Sequence, residues 1–169
     1  MIGIGQKVPR LRTPAFTEGA LTLFDFAGYR SHWLAMCCMP SLGLLEAELL
    51  ECHSDGFRSE GAILLALCPS ATVFPARLTS QTSYIRTPML ADPLSRLHRL
   101  FGILREATQC CSILIDPSGV LSFRLTHDFN RHGMESLQKA LVANRCQSPP
   151  LLHESHIPVS KGALIPCIL

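Results

Sequence analysis

The residues of this 169-residue chain best suited to bond-making chemistry are its cysteines, and they are unevenly placed. Cys37 and Cys38 are adjacent, as are Cys110 and Cys111, while Cys52, Cys68, Cys146 and Cys167 stand singly. A thiolate attacks peroxides and disulfides and ligates soft metals, whereas a thiol in an apolar run also serves as a small buried hydrophobe. Four converging thiolates suit zinc or an iron-sulfur centre, but no Cys-x-x-Cys spacing accompanies them, so Cys38, Cys68 and Cys110 make only a weak metal set. His127, Asp128 and His132 share no single helical face and read as a solvated loop. Cys52 and His53 close a helix, where a histidine meets the dipole favourably. Irregularly spaced cysteines without an apolar leader point to reduced thiols and a cytoplasmic protein.

The elements that position these thiols follow from apolar periodicity. Trp33-Leu-Ala-Met-Cys-Cys-Met39, stopped by Pro40, predicts a strand buried on both faces at the sheet centre. Leu42 to Cys52 predicts an amphipathic helix with Leu42, Leu45, Leu49 and Cys52 on its apolar face. Gly61 to Leu67, ending in Cys68-Pro69, predicts a second buried strand, completing a βαβ unit. Gln6 to Glu18 reads as irregular and Ala20 to Asp25 as a short strand. A helix is possible around Pro75 to Tyr84. Met89-Leu-Ala-Asp92 predicts a short strand, and Ser95 to Phe101 a helix closed by Gly102. Ser112 to Asp116 and Val120 to Thr126, joined by Pro117-Ser118-Gly119, predict an antiparallel hairpin. Met134 to Ala143 predicts the last helix. The expected organisation is one α/β domain over 1–143 and a Pro-containing tail over 144–169.

Composition narrows the partners. Hydrophobic residues make up 47% and charged residues 17%, with a net charge of +2 and no basic run. These values argue against disorder and against nucleic acid, and no segment approaches the roughly 20 apolar residues of a membrane span. The sparse charge leaves surface suited to a protein partner.

The order βαβ, βα, hairpin, α resembles the thioredoxin fold with a central mixed sheet, and several phrases resemble the peroxiredoxin (AhpC/TSA-like) family. They are Ile4-Gly-Gln-Lys-Val-Pro9, Asp25 before Gly28, Trp33 leading to Pro40, Pro88-Met-Leu-Ala-Asp-Pro93 with Leu97 to Gly102, and Ile113-Leu-Ile-Asp-Pro-Ser-Gly119. Together they span roughly residues 4 to 142. The family sets Pro, three residues, Thr, two residues, Cys after the central strand, where a helix N-terminus lowers the thiol pKa. Counting from Pro40 puts Leu44 at the Thr position and Ala47 at the Cys position, and the interval to Gly61 is short for the family. The family arginine before the Ile-Asp-Pro strand falls at Cys110.

The resemblance implies a thiol-dependent redox or antioxidant protein with the usual catalytic cysteine and arginine replaced. It further implies a peroxide or disulfide substrate, a thiol reductant, no cofactor and a homodimer. Topology brings Cys37, Cys38, Cys68, Cys110 and Cys111 to one sheet edge, with one member of each adjacent pair on each face. The expected nucleophile is Cys38, beside the turn at Pro40, resolved by Cys110 or Cys37; Cys146 is a further resolving candidate. Cys38-Met-Pro-Ser41 also reads as a Cys-x-x-Ser variant of the thioredoxin motif, with one attacking thiol and a Ser41 that cannot resolve a mixed disulfide. Alternatives are a catalytically inactive binding or assembly protein, and a cysteine-based metal or cofactor carrier.

Overall fold

The computed structural model describes residues 1–68, 85–104 and 108–147. Seven strands form one mixed sheet: β1 (Arg12–Thr17), β2 (Ala20–Asp25), β3 (Trp33–Cys38), β4 (Ala62–Cys68), β5 (Met89–Ala91), β6 (Cys110–Ile115) and β7 (Leu121–His127). Among the described residues three α-helices accompany them, α1 (Leu44–Ser59), α2 (Arg96–Phe101) and α3 (Arg131–Gln147). The order across the sheet is β2-β1-β5-β4-β3-β6-β7.

Strands β3 and β4 run parallel across α1, as expected of consecutive apolar runs with no polar face. Every residue of β3 and β6 is buried, because each strand has neighbours on both sides and a packed layer on both faces. Alternate residues therefore serve two cores. Ala35, Cys37, Ala66 and Cys68 face α1 and α3 together with Cys110 and Leu114. Leu34, Met36, Cys38, Leu67, Cys111 and Ile113 face α2 and the N-terminal segment.

Where sequence periodicity was ambiguous, tertiary packing decided. The segment expected to be irregular contains β1, which pairs antiparallel with both β2 and β5. Pro14 lacks a donor and occupies an exposed position, while Thr13, Ala15 and Phe16 turn inward. Helix α1 continues beyond Cys52, so Cys52 and His53 lie within it, and His53 Nδ1 sits 2.9 Å from the Leu49 carbonyl oxygen. Its buried face is Ala47, Leu50, Ser54 and Phe57, not the Leu42, Leu45, Leu49, Cys52 set. Leu45 is 77% exposed, and Leu42 is buried ahead of the helix. Helix α3 starts before Met134 and extends through Asn144 to Gln147, beyond the expected boundary at 143. The expected helix at 75–84 and the segment 148–169, with Cys167, lie outside the described residues.

The β6-β7 connection is held by Asp116, whose Oδ1 accepts from Ser118 N at 2.9 Å, Ser118 Oγ at 2.6 Å and Val120 N at 2.9 Å. Gly119 closes the turn at φ 84°, a left-handed conformation that glycine adopts without Cβ strain. No helix among the described residues is long and apolar enough to cross a membrane.

Candidate functional site

The antiparallel register of β3 and β6 pairs Cys37 with Ser112 and Cys38 with Cys111. That of β6 and β7 pairs Cys110 with His127. Side-chain alternation then sorts the four thiols, Cys37 and Cys110 on the face under α1 and α3, Cys38 and Cys111 on the other. The sheet brings together all five expected cysteines but does not let them meet at one point.

On the α1/α3 face the thiols form a polar cluster inside an apolar core. Ser112 Oγ lies 2.8 Å from His127 Nε2, 3.4 Å from Cys37 Sγ and 3.6 Å from Cys110 Sγ. The His127 Nδ1 atom is 2.8 Å from the Asp128 carbonyl, which places a proton on Nδ1 and leaves Nε2 facing Ser112 and the thiols. Cys37 Sγ is 3.9 Å from Met134 Sδ, in the first turn of α3, so the positive end of that helix dipole adjoins the pair. Cys37 and Cys110 are 0% and 1% exposed, whereas His127 is half-buried and links them to the surface.

The charges follow from these contacts. A hydrogen bond from Cys37 holds the Cys110 thiol below its ordinary range, against the effect of burial and with help from His127 and Ser112. The same contact, reinforced by burial, pushes Cys37 well above that range. His127 is raised, first by its hydrogen bond to Cys110 and against burial. The contacts thus favour the proton on Cys37 over Cys110. Burial drives Cys38 well above the ordinary thiol range, pushes Cys68 up to about 12, and raises Cys111.

Other expected positions separate from this cluster. Cys38 is 2% exposed and faces away from both Cys37 and Cys110, so the pleat divides the expected nucleophile from its expected resolving partners. Pro40 and Ser41 are exposed, and the helix that should begin immediately after Ser41 begins at Leu44 with Gly43 as N-cap. Cys38 is therefore a residue of β3 rather than of a helix N-terminus, and the Cys-x-x-Ser arrangement is not built. Leu44 opens α1 at 39% exposure, while Ala47 is 0% exposed and packs into the core. Cys146 is exposed on α3. The metal set Cys38, Cys68 and Cys110 is split by the sheet, and among the described residues no group of three or more His, Cys, Asp or Glu can hold a metal ion.

Sequence reasoning missed the role of His127. Its signal lies in parity and register, since a residue two strands from Cys37 reaches the same face only if β6 and β7 align Cys110 with His127.

No family sequence model and no curated protein matches the chain. Solved structures do. AhpC of Enterococcus faecalis superposes with a TM-score of 0.68 at 19% identity, covering 88% of this chain and 98% of that one. AhpC of Mycobacterium bovis superposes with a TM-score of 0.69 at 16% identity, over 92% and 99%. A 2-Cys peroxiredoxin of Plasmodium vivax gives 0.68 at 12% identity, over 85% and 97%. Strand order, two-faced core and superposition agree, and the chain has the peroxiredoxin-like form of the thioredoxin fold.

Proposed function

We propose that this protein is a divergent peroxiredoxin-like thiol redox protein whose working thiol is Cys110 rather than a cysteine of the loop after β3. The observation that carries this reading is the Ser112-His127 contact of 2.8 Å beside Cys37 and Cys110, which supports an imidazole assisting one of two adjoining thiols. The substrate class is a small hydroperoxide, the class the peroxiredoxin resemblance implies, and a thiol 1% exposed favours small reactants at both the oxidation and the reduction step. The Cys110 thiolate attacks one peroxide oxygen, breaking the O–O bond, and the leaving oxygen takes a proton from His127 to depart as water or an alcohol. The resulting sulfenic acid condenses with a thiol reductant, losing water, and a second reductant thiol releases Cys110 with formation of the reductant's disulfide. The reading includes a homodimer, checked by sedimentation velocity.

Peroxide consumption with a thiol reductant tests it. The unmutated protein should turn over, Cys110→Ser should lose all turnover, and Cys38→Ser should keep it. Inactive wild type, or activity that depends on Cys38 instead, overturns the assignment. A second reading, a catalytically inactive fold that binds or assembles with another protein, is favoured by the complete burial of Ala47 at the position where the family resemblance sets its cysteine. It predicts no turnover in any variant.

A further inference from the structure

We infer that Cys38 and Cys111 form a second redox site on the opposite face of the sheet, a cross-strand dithiol that a small-molecule disulfide oxidises to an internal bridge. The two residues are direct register partners of antiparallel strands and share one side-chain layer. Directly opposed residues have Cα atoms about 4.5 or 5.5 Å apart, and both spacings fall inside the roughly 4.4–6.8 Å span of disulfides. The Cys37-Cys110 pair differs. Cys37 faces Ser112, so Cys110 is its diagonal neighbour. Diagonal spacings of about 7–8 Å sit beyond the limit of about 7 Å for bridging without backbone movement. The two faces therefore carry different chemistry, with two thiols linked through Ser112 under the helices and a bridgeable pair behind it.

Approach and charge favour attack by Cys111. It is 8% exposed against 2% for Cys38, and its register partner on the edge strand β7 is the exposed Thr126. Arg124, also on β7, acts electrostatically on both thiols against the effect of burial. Its guanidinium donates to the Phe101 carbonyl, yet its buried Nε has no hydrogen-bond partner among the described residues. The charge of Arg124 offsets part of the burial that raises both thiols, and for Cys111 it is the first cause after burial.

The chemistry balances with a small disulfide such as oxidised glutathione. Cys111 thiolate attacks one sulfur, forming a mixed disulfide and expelling a glutathione thiolate. The Cys38 thiol then loses its proton and displaces the second glutathione, leaving a Cys38–Cys111 bond. The protein pair is oxidised by two electrons and one oxidised glutathione is reduced to two thiols.

The test uses Cys37→Ala/Cys110→Ala, which removes the proposed peroxide site and leaves one thiol on each of β3 and β6. After incubation with oxidised glutathione, a non-reducing digest should yield peptides joined through Cys38 and Cys111, two hydrogens lighter than the reduced pair and without a glutathione adduct on either, whatever adducts the exposed Cys52 and Cys146 carry. The bridge should raise Tm by on the order of 10 °C, because it closes a long loop in the unfolded chain. Wild-type protein, with fragment ions assigning the linkage, guards against a variant that fails to fold. A stable glutathione adduct on Cys111, a bridge through other cysteines, or full alkylation of Cys38 and Cys111 after treatment overturns the inference. Peroxide inactivity of the wild type would refute the Cys110 assignment and leave this bridge standing.

Discussion

At the scale of single residues, His127 adds to the acidity that the Cys37 contact gives Cys110. Its folded pKa is raised, so its charge and the attraction it supplies are complete below the unfolded value and fade as pH rises through the raised one. Cys110, lowered, is a thiolate only above its depressed pKa, so the ion pair exists between that value and the raised pKa of His127. His127→Gln removes the cation, and iodoacetamide labelling of Cys110, followed against pH by mass spectrometry, should move its midpoint to higher pH. An unchanged midpoint would show that Cys37 and Ser112 suffice. Gly133 is the second residue with leverage. A Cβ there would run into the His127 ring and the Asp128 carbonyl oxygen, and the latter is backbone that cannot swing aside. Gly133→Ala should cost about 1–3 kcal/mol in denaturant unfolding and should displace His127, with a matching loss of Cys110 labelling near neutral pH.

Among the elements, α2 is set by an ionisable pair. Asp92 receives the backbone N–H of Arg96 at 2.7 Å and of His98 at 2.9 Å, and lies 2.8 Å from His98 Nδ1, with both side chains 4% exposed. Burial pushes the carboxyl up, but hydrogen bonds from His98 and the helix backbone outweigh it and leave Asp92 below its ordinary value. Its stabilisation is therefore present above the unfolded carboxylate pKa and lost as pH falls through the folded one. Asp92→Ala should cost about 3–5 kcal/mol at neutral pH, and the difference from wild type should shrink on acidification, as read from urea midpoints. The Leu-Ala-Asp-Pro phrase marked this segment in the sequence, and the uniform runs of β3 and β4 marked the sheet centre. Two elements resisted for physical reasons. Strand β1 carries Arg12, Thr13 and Pro14, whose types suit a loop, and only pairing with β2 and β5 makes it a strand. In α1, two sets of positions satisfy the same period, and the buried one holds Ala47 and Ser54, which sequence hydropathy underrates beside Leu45. The candidate site was legible as a set of thiols but not as a pair, because proximity to Pro40 favoured Cys38 while face parity selects Cys37 and Cys110.

Over the whole molecule, two cores share β3, β4 and β6, so neither layer can melt while the other keeps its strands. Phe57 anchors the α1/α3 side and Phe101 the α2 side, each 0% exposed. Truncating either to alanine should cost about 3–5 kcal/mol, and both losses should appear in one transition. Fluorescence of the single tryptophan, Trp33, and far-ultraviolet circular dichroism should report the same urea midpoint in each variant. Separate midpoints would reveal two independently melting layers. The alternation of adjacent cysteines along β3 and β6 also makes thiol chemistry a fidelity marker for folding. A one-residue slip of β6 against β3 turns every side chain of the slipped strand to the opposite layer, exchanging Cys110 for Cys111. Chains trapped in that slip would carry a foreign cross-link pattern and lose the imidazole-assisted thiol, so a digest of oxidised protein distinguishes correctly threaded molecules from compact impostors that share their secondary structure.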